Sequence, residues 1–391
     1  MEKASIVVPA ASAASSVAFH RSLGRRGIRT IAVSETETAP SFRSRYCDET
    51  VLVSDPKEDI TGYKEALLAL AMRPDVETIV PLREEDIYVL SKYRQEFAEH
   101  IATPWPSFET LRTVHDREKL FDAARKASVP VPETNTLDDV DDWGRRLVVK
   151  SRYALLTGDY LSDSAAEGII EPRSATFLKP DERPDKERLR SEFKHNPHVQ
   201  QFVDGTEFSL GVLYDDGEPV VETQKRIIRG KKYYCGPSVY HESVDIRELE
   251  ELGRRLLTQL DWHGPADIDI IRDDNSGEYK LLEINPRFWA TIQMEIHAGF
   301  DFPLYYWRMT QNDSRQSIPS PEPGIASHYL PGELSYIQSV LTEDHPLCDP
   351  PSVSSSGWEI TRSIIGDHRF DLLDLDDPLP FVSRVADEVR G

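Results

Sequence analysis

The sequence predicts an α/β protein that opens on a doubly wound βαβ domain and continues into strands and hairpins alternating with helices. Two stretches carry that expectation. Residues 4–9 (Ala-Ser-Ile-Val-Val-Pro) read as a buried strand, the small residues Ala10 to Ser16 lead into a helix ending near Arg26 and Gly27, and Ile28 to Val33 reads as a second strand. Far downstream, Ala266-Asp267-Ile268-Asp269-Ile270-Ile271 and Leu281-Leu282-Glu283-Ile284-Asn285 alternate acid or amide with aliphatic residues around the turn signals Asn275-Ser276-Gly277. A length of 391 residues suggests two or three domains, and 39% hydrophobic content is enough for a sizeable core.

The formal charge is -22, from 68 Asp+Glu against 46 Lys+Arg. That balance argues against nucleic acid, whose binding rests on phosphate neutralisation, and against an anionic membrane surface. The acid is spread along the chain and arginine outnumbers lysine, as in a protein from a high-salt cytoplasm. Cys47, Cys235 and Cys348 are far apart, with no CxxC pair, so a reducing cytosol is expected rather than a disulfide framework or zinc site. The apolar run Ile6 to Ala18 is Ala/Ser-rich, too short to span a bilayer, and merges into the βα pattern; a soluble, unprocessed chain is expected.

In order, the first turn (Ala10-Ala11-Ser12-Ala13-Ala14-Ser15) lacks the GxGxxG fingerprint, so dinucleotide binding there is not expected. Its small residues serve either ligand approach to helix amides or close helix–strand packing. Asp48 to Val53 reads as a strand, Ile60 to Met72 as a helix, and Glu77 to Pro81 as a buried strand. Glu84 to Asp86 beyond it either meet a ligand at the strand's C-terminal end or cap helix 85–95. After Thr103-Pro104-Trp105-Pro106, residues 113–121 open a helix that Pro130 and Pro132 end. Arg146 to Lys150 is a strand ending in a cation, where Lys150 either snorkels at an edge or meets phosphate.

Residues 151–196 read as polar and irregular, with a strand at Ser174 to Leu178 and a solvated loop and helix over Pro180 to Lys194. His198 to Leu210 is strand, bend, strand, with Glu207 and Ser209 on one face. Asp215-Asp216-Gly217 is a hairpin turn, Val220 to Arg226 the returning strand, and Tyr233 to Val239 a loop. Ile246 to Leu260 is an amphipathic helix whose leucines belong to the core. Helices follow at 290–298 and 302–310. Beyond Gln311 a Pro/Ser-rich stretch, a strand and helix over Tyr329 to Thr342, and a last helix at 379–390 carry no chemistry visible in the sequence.

Strand periodicity puts Glu283 and Asn285 on one face and Leu282 and Ile284 on the other. With the hairpin centred near Ser276, Asp269 lies opposite Glu283 and Asp267 opposite Asn285, so four oxygen-bearing groups share a face; a slip of one residue would separate them. Facing carboxylates repel, and a hard cation such as Mg²⁺ resolves the repulsion while keeping sites for phosphate. Arg287 lies just beyond, placed to grip a phosphate oxygen. The rival reading is a salty, solvent-facing hairpin, stronger for Asp267 than for Glu283, Asn285 and Arg287 with their apolar flanks.

This ordered set resembles the ATP-grasp superfamily of carboxylate-amine (or carboxylate-thiol) ligases: a basic residue after Asp116, Lys150 on a strand, the Gln200–Val203 bend, Glu207, Asp269, and Glu283-Ile284-Asn285-Pro286-Arg287. Glu-Ile-Asn-Pro-Arg-Phe-Trp, Ala298-Gly299-Phe300-Asp301-Phe302-Pro303 and the closing Asp376-Asp377-Pro378-Leu379-Pro380 are most similar to the predicted ATP-dependent carboligases of that superfamily. The resemblance implies an N-terminal domain over residues 1–112, an ATP-grasp fold of two α+β lobes over 113–310, and a C-terminal extension over 311–391. It implies ATP and Mg²⁺ (or Mn²⁺), with Asp269, Glu283 and Asn285 as metal ligands. Arg287 would clamp the transferred phosphate and Lys150 would meet the ATP phosphates. Arg117 would be the first cation, with Lys119 as a substitute. The backbone of Gln200, Gln201, Phe202 and Val203 would read adenine, and Glu207 would hold the ribose. Gly236 to Val239 would face the acceptor, with the catalytic candidate Arg226 upstream.

One departure stands out. Where the family has a glycine-rich loop, Ser151 to Gly158 holds a single glycine; either Thr157-Gly158-Asp159 replaces it or the lid is altered. The implied reaction joins a small-molecule carboxylate to an amine through an acylphosphate in the cytoplasm, with no nucleic acid or membrane partner; a homodimer is compatible with the sequence. The alternatives are a bicarbonate-using carboxylase, a nucleotide-binding regulatory module, and an acidic structural protein.

Overall fold

The computed structural model describes residues 4–161, 168–311, 320 and 322–390. The chain opens as β1 (Ser5–Val8), α1 (Ala14–Gly24), β2 (Arg29–Ser34), β3 (Glu49–Leu52), α2 (Ile60–Ala71) and β4 (Val76–Ile79). These strands form a parallel sheet in the order β3-β2-β1-β4, the doubly wound arrangement expected from the βαβ opening. The Ala/Ser turn after β1 is a packing device. The Ala11 amide donates to the Val33 carbonyl at 3.2 Å and the Ala13 amide to the Ala10 carbonyl at 2.7 Å, so two of its donors are already used.

Helices α3 (Glu84–Lys92) and α4 (Arg94–Ala98) follow. Then α5 (Phe108–His115) and α6 (Arg117–Lys126) replace the single helix expected from residue 113, and α5 crosses residue 112. Asp116 breaks them: its extended backbone ends α5, and its side chain caps the Glu118 amide.

A small antiparallel sheet comes next, built from β5 (Thr134–Thr136), β6 (Leu147–Lys150), β7 (Thr176–Leu178) and β8 (His198–Gln201) in the order β5-β8-β6-β7, with α7 (Lys186–Phe193) before β8. Residues 202–204 lead from it into the large sheet. That sheet holds β9 (Gly205–Asp215), β10 (Glu218–Lys232), β11 (Cys235–Ser243), β12 (Gly264–Asp273), β13 (Tyr279–Asn285) and β14 (Ala326–His328). The order is β13-β12-β9-β10-β11-β14, antiparallel throughout. Helix α8 (Arg247–Gln259) buries its leucines against the large sheet's core, which is continuous with that of the N-terminal sheet.

One expectation needs correction. Tyr233 to Val239 is not a loop throughout, because β11 begins at Cys235 and carries Gly236 and Pro237 at an edge distorted by register shifts. The C-terminal part of the chain packs onto the rest. β14 joins the large sheet, and α9 (Ile292–His297), α10 (Phe302–Thr310), α11 (Leu330–Thr342), α12 (Val353–Gly366) and α13 (Leu379–Arg390) complete the chain. Asp377 is buried against α1, where its side chain accepts from Arg21 Nε at 3.0 Å and its carbonyl accepts from Arg21 Nη2 at 2.7 Å. Asp376-Asp377-Pro378 thus ties the end of the chain to its beginning. Tyr306 of α10 reinforces the tie, donating to the Ile79 carbonyl at 2.8 Å and packing edge-on to Phe19 and Phe288.

Candidate active site

The hairpin β12–β13 has the register read from its alternation. Asp269 pairs with Glu283 and Asp267 with Asn285, so all four face a cleft of about 470 Å³. The periodicity fails at one place. The register shifts between Asp269 and Ile270, leaving Leu282 as a bulge that lines the cleft beside Glu283, while Leu281 enters the core.

The floor of the cleft is acidic. Burial, then the Asp267 and Glu283 charges, push the Asp269 carboxyl well above the usual range. Among the described residues, its one side-chain hydrogen-bond partner is the Asn285 amide, which donates at 3.0 Å. Asp267 is better compensated: it accepts from Ser209 and from Lys225 Nζ at 3.3 Å. Glu283 is held below its ordinary range although burial opposes this, because Arg117 and Lys150 outweigh burial. Arg117 donates to it at 2.6 Å and to the Ser151 carbonyl at 2.8 Å. Lys150 is depressed by burial and by Arg117. Glu207, on the cleft face of β9, is raised by burial against the pull of Lys150. A crowded carboxylate pair with a carboxamide beside it suits a hard divalent cation, so the residues present fit Mg²⁺ or Mn²⁺.

Arg287 reaches the same cleft, but its guanidinium is anchored from outside the hairpin. Nε donates to Glu84 Oε1 at 2.7 Å, Nη1 to the Phe288 carbonyl at 3.1 Å and Nη2 to Asn285 Oδ1 at 3.3 Å. Glu84 Oε2 also lies 3.0 Å from His115 Nε2. Burial would raise the Glu84 carboxyl, yet Arg287 and His115 hold it down to about 2. Of the two readings of residues 84–86, capping is seen at Asp86, which accepts from the Arg83 amide at 2.9 Å at the start of α3, while Glu84 is occupied by Arg287 and His115.

One candidate is not brought in: Lys119 lines a separate hollow with Asp122 and Lys126 beside α6. Arg226 stands at register with Phe208, pairs with Glu242 at 2.5 Å, and lines an adjoining hollow that shares Glu207, Ile227 and Gly236 with the cleft. Strand parity therefore gives the cleft its neighbour Lys225, opposite Ser209. Lys225 was missed, although the Ser209 face could have pointed to it. It is buried and stays charged because Asp267 and Glu295 outweigh burial, and it lies 5.0 Å from the centre of the Trp289 ring.

Gln200, Gln201, Phe202 and Val203 form the passage between the two antiparallel sheets. The Gln201 amide donates to the Glu133 carbonyl at 2.8 Å and the Phe202 amide to the Arg146 carbonyl at 3.0 Å, so these two donors are taken. The segment after Lys150 is tied down rather than glycine-like. Arg152 forms a fork on Asp116 at 2.8 and 2.7 Å, and Leu155 and Leu156 are buried. Asp159 is claimed by Lys92 at 2.6 Å and by Tyr88, both of α3, so Thr157-Gly158-Asp159 is anchored on the N-terminal part of the chain.

Gly211 shows how tightly this end is built. A Cβ there would overlap the Trp289 ring. Gly211→Ala is expected to cost about 1–3 kcal/mol through overpacking and to displace Trp289 from Lys225. Thermal unfolding and tryptophan fluorescence check it; an unshifted emission band would show that the ring does not move.

A parallel N-terminal sheet, a small antiparallel sheet and a large antiparallel sheet whose end strands carry carboxylates and a carboxamide define the ATP-grasp architecture. Two family descriptions match: "ATP-grasp in the biosynthetic pathway with Ter operon" over residues 196–332 and "PylC-like, N-terminal domain" over residues 13–103. The fold is thus mixed α/β, with a PylC-like region over residues 13–103 and an ATP-grasp-like region over residues 196–332. It is 28% identical over 352 residues to pyruvate carboxylase of Bacillus subtilis, covering 85% of this chain and 30% of that protein. It is 30% identical over 103 residues to D-alanine–D-alanine ligase of Idiomarina loihiensis, covering 24% of this chain and 33% of that protein. The chain thus spans about a third of each of these relatives. Among solved structures, biotin carboxylase of Campylobacter jejuni has a TM-score of 0.60 at 15% identity, covering 83% of this chain and 74% of that one. L-amino acid ligase of Bacillus licheniformis has a TM-score of 0.54 at 14% identity, covering 81% and 75%. At such identities the likeness shows the fold. Among the described residues no helix is long and apolar enough to cross a membrane.

Proposed function

We propose that the protein is an ATP-dependent ligase that joins a carboxylate to an amine through an acylphosphate, releasing ADP and phosphate. The observation that carries this reading is the shared face of Asp269, Glu283 and Asn285, ringed by Lys150, Arg117 and Arg287. The similarity to D-alanine–D-alanine ligase and the fold of the L-amino acid ligase support the amine acceptor.

Asp269, Glu283 and Asn285 would hold Mg²⁺ or Mn²⁺, which when bound supplies charge neutralisation for the phosphates. Glu207 would receive the ribose hydroxyls, and residues 200–203 would border the adenine. Lys150 and Arg117 would orient the phosphates, and Arg287 would grip the transferred phosphoryl group. Catalysis then rests on positioning and electrostatics, with no side-chain nucleophile. Small-molecule substrates, a cytoplasmic location and a homodimer belong to the same proposal. The three free cysteines support the reducing compartment.

The test is ADP release across panels of acids and amines in high KCl, with Glu283→Gln beside the natural protein. The expected result is ADP release with one acid–amine set and a loss of about 10²–10³-fold in the variant. Release with bicarbonate in place of an organic acid would favour the carboxylase reading. ATP binding without release under any pair would favour the regulatory module, the reading that the tied-down segment after Lys150 supports.

A further inference from the structure

Behind the acceptor end of the cleft lies a line of polar groups that the proposed function leaves unused. Ser238 lines the cleft at the start of β11. Its Oγ is 3.0 Å from Nδ1 of His241, with the Tyr240 carbonyl at 3.5 Å. His241 Nε2 is 3.5 Å from Asp371 Oδ1. Ser327 of β14 donates to that same oxygen at 2.6 Å. His241, Ser327 and Asp371 are fully or almost fully buried. Among the described residues, His241 Nε2 and Asp371 Oδ2 have no hydrogen-bond partner.

The backbone makes this line deliberately. β10 and β11 pair Ile227 with His241, Arg229 with Tyr240 and Gly230 with Ser238, so Val239 is an extra residue in β11. That bulge turns Ser238 and His241, three positions apart, toward one side of the strand. His241 then lies beneath the cleft and Ser238 at its wall.

We propose that Ser238, His241 and Asp371 form a proton relay that deprotonates the acceptor amine; the inference rests on the ligase reading above. Ser238 is the catalytic residue that touches the amine, His241 takes the proton, and Asp371 is a positioning residue. Asp371, whose Oδ1 lies 3.5 Å from Nε2, favours by its charge the tautomer in which Nε2 carries hydrogen and Nδ1 can accept. The ammonium proton moves to Ser238 Oγ as the serine hydroxyl proton moves to Nδ1, leaving a neutral amine and an imidazolium facing Asp371. The amine lone pair forms the C–N bond to the acyl carbon. The C–O bond to phosphate breaks, and phosphate leaves with that electron pair and the second amine proton. Three other charged groups are near. Glu295 of α9 faces His241, with Oε1 accepting from Trp289 Nε1 at 3.0 Å and lying 3.7 Å from Lys225 Nζ of β10. Asp267 of β12 holds Lys225 from the cleft side.

The experiment separates the two half-reactions. Hydroxylamine is largely unprotonated at neutral pH and traps an acylphosphate without a base, whereas an amino-acid amine arrives protonated. Hydroxamate and amide formation are measured with full-length protein, MgATP, and the acid and amine that gave ADP release. In Ser238→Ala and His241→Gln the amide-to-hydroxamate ratio is expected to fall by about 10²-fold. Amide formation should recover toward high pH, where the amine needs no base. Asp371→Asn should lower the same ratio less. An unchanged ratio, or a parallel fall of both products in Ser238→Ala, would overturn the relay. Absence of hydroxamate from the natural protein with every acid would instead sink the ligase reading, before any variant is compared.

Discussion

Asp269→Asn is expected to stabilise the ligand-free protein and to leave it without MgATP turnover. Asp269 is a buried carboxylate with Asp267 and Glu283 for neighbours and one amide donor at 3.0 Å. Its folded pKa is raised, so the neutral form is favoured in the fold. The stability it contributes is present below the unfolded value of about 3.9 and is lost as pH rises through the folded value. At neutral pH the charge is a burden, and a neutral isostere that still accepts from Asn285 removes it. The melting temperature at neutral pH should therefore rise, and should depend less on pH on the alkaline side of 4. Turnover should fall by about 10²–10³-fold or more, the scale of losing one preorganised electrostatic contact. The thermal shift caused by MgATP should shrink with it. Asp267→Asn tests the same logic with the opposite sign. It removes the nearer carboxylate from buried Lys225, leaving Glu295 at 3.7 Å, so that variant should melt lower. A destabilised Asp269→Asn would show that the carboxylate is compensated by something the geometry does not reveal.

These two neighbouring acids also show what a sequence can and cannot give. Their pairing with Glu283 and Asn285 was legible, because alternation with a period of two leaves one register that buries the aliphatic face. The bulge at Leu282 was not, since an unpaired residue in a strand leaves no mark in an apolar run. The choice between Lys225 and Arg226 depends on which residue of β9 each one faces, a relation between strands that composition does not hold. The Ser238–His241–Asp371 line needs residues 130 positions apart in the chain, plus a bulge, and could not be read locally. The tie between Asp377 and Arg21 is longer still. Many elements were legible, because caps, turns and periodicity are local, but β5, α12 and the far half of β10 were not. The break at Asp116 is another exception: that residue serves as a cap where a continuous helix was expected to run.

The residue that local reading left undecided predicts the second large effect. Glu84→Gln is expected to impair turnover while leaving MgATP binding nearly intact. Glu84 stands where the N-terminal sheet delivers its chain to α3, and it reaches across to Arg287 at 2.7 Å and His115 at 3.0 Å. Arg287 therefore takes its orientation from a different part of the chain than the one that carries it. With glutamine, the guanidinium keeps the neutral acceptors Phe288 carbonyl and Asn285 Oδ1 and at most one neutral bond to the new amide, and it loses the charge that opposes its burial. It is held less firmly, and on the proposed reading its grip on the transferred phosphoryl group would be lost faster than ground-state affinity. The pH dependence gives a second, independent reading. The Glu84 carboxyl is depressed to about 2, so its stabilisation is present above the unfolded value and is lost as pH falls toward 2. Its side chain is 19% exposed, so the contribution at neutral pH is at most about 3 kcal/mol. Acid unfolding between pH 4.5 and 2 should accordingly be less steep in Glu84→Gln than in the natural protein, from a lower starting stability. Glu85→Gln is the control, because Glu85 pairs with Lys57, at 3.7 Å, rather than with Arg287. Equal acid slopes and equal ADP release in Glu84→Gln and the natural protein would make the bridge a bystander. Otherwise the N-terminal domain is part of the catalytic apparatus, because it sets the angle at which Arg287 enters the cleft.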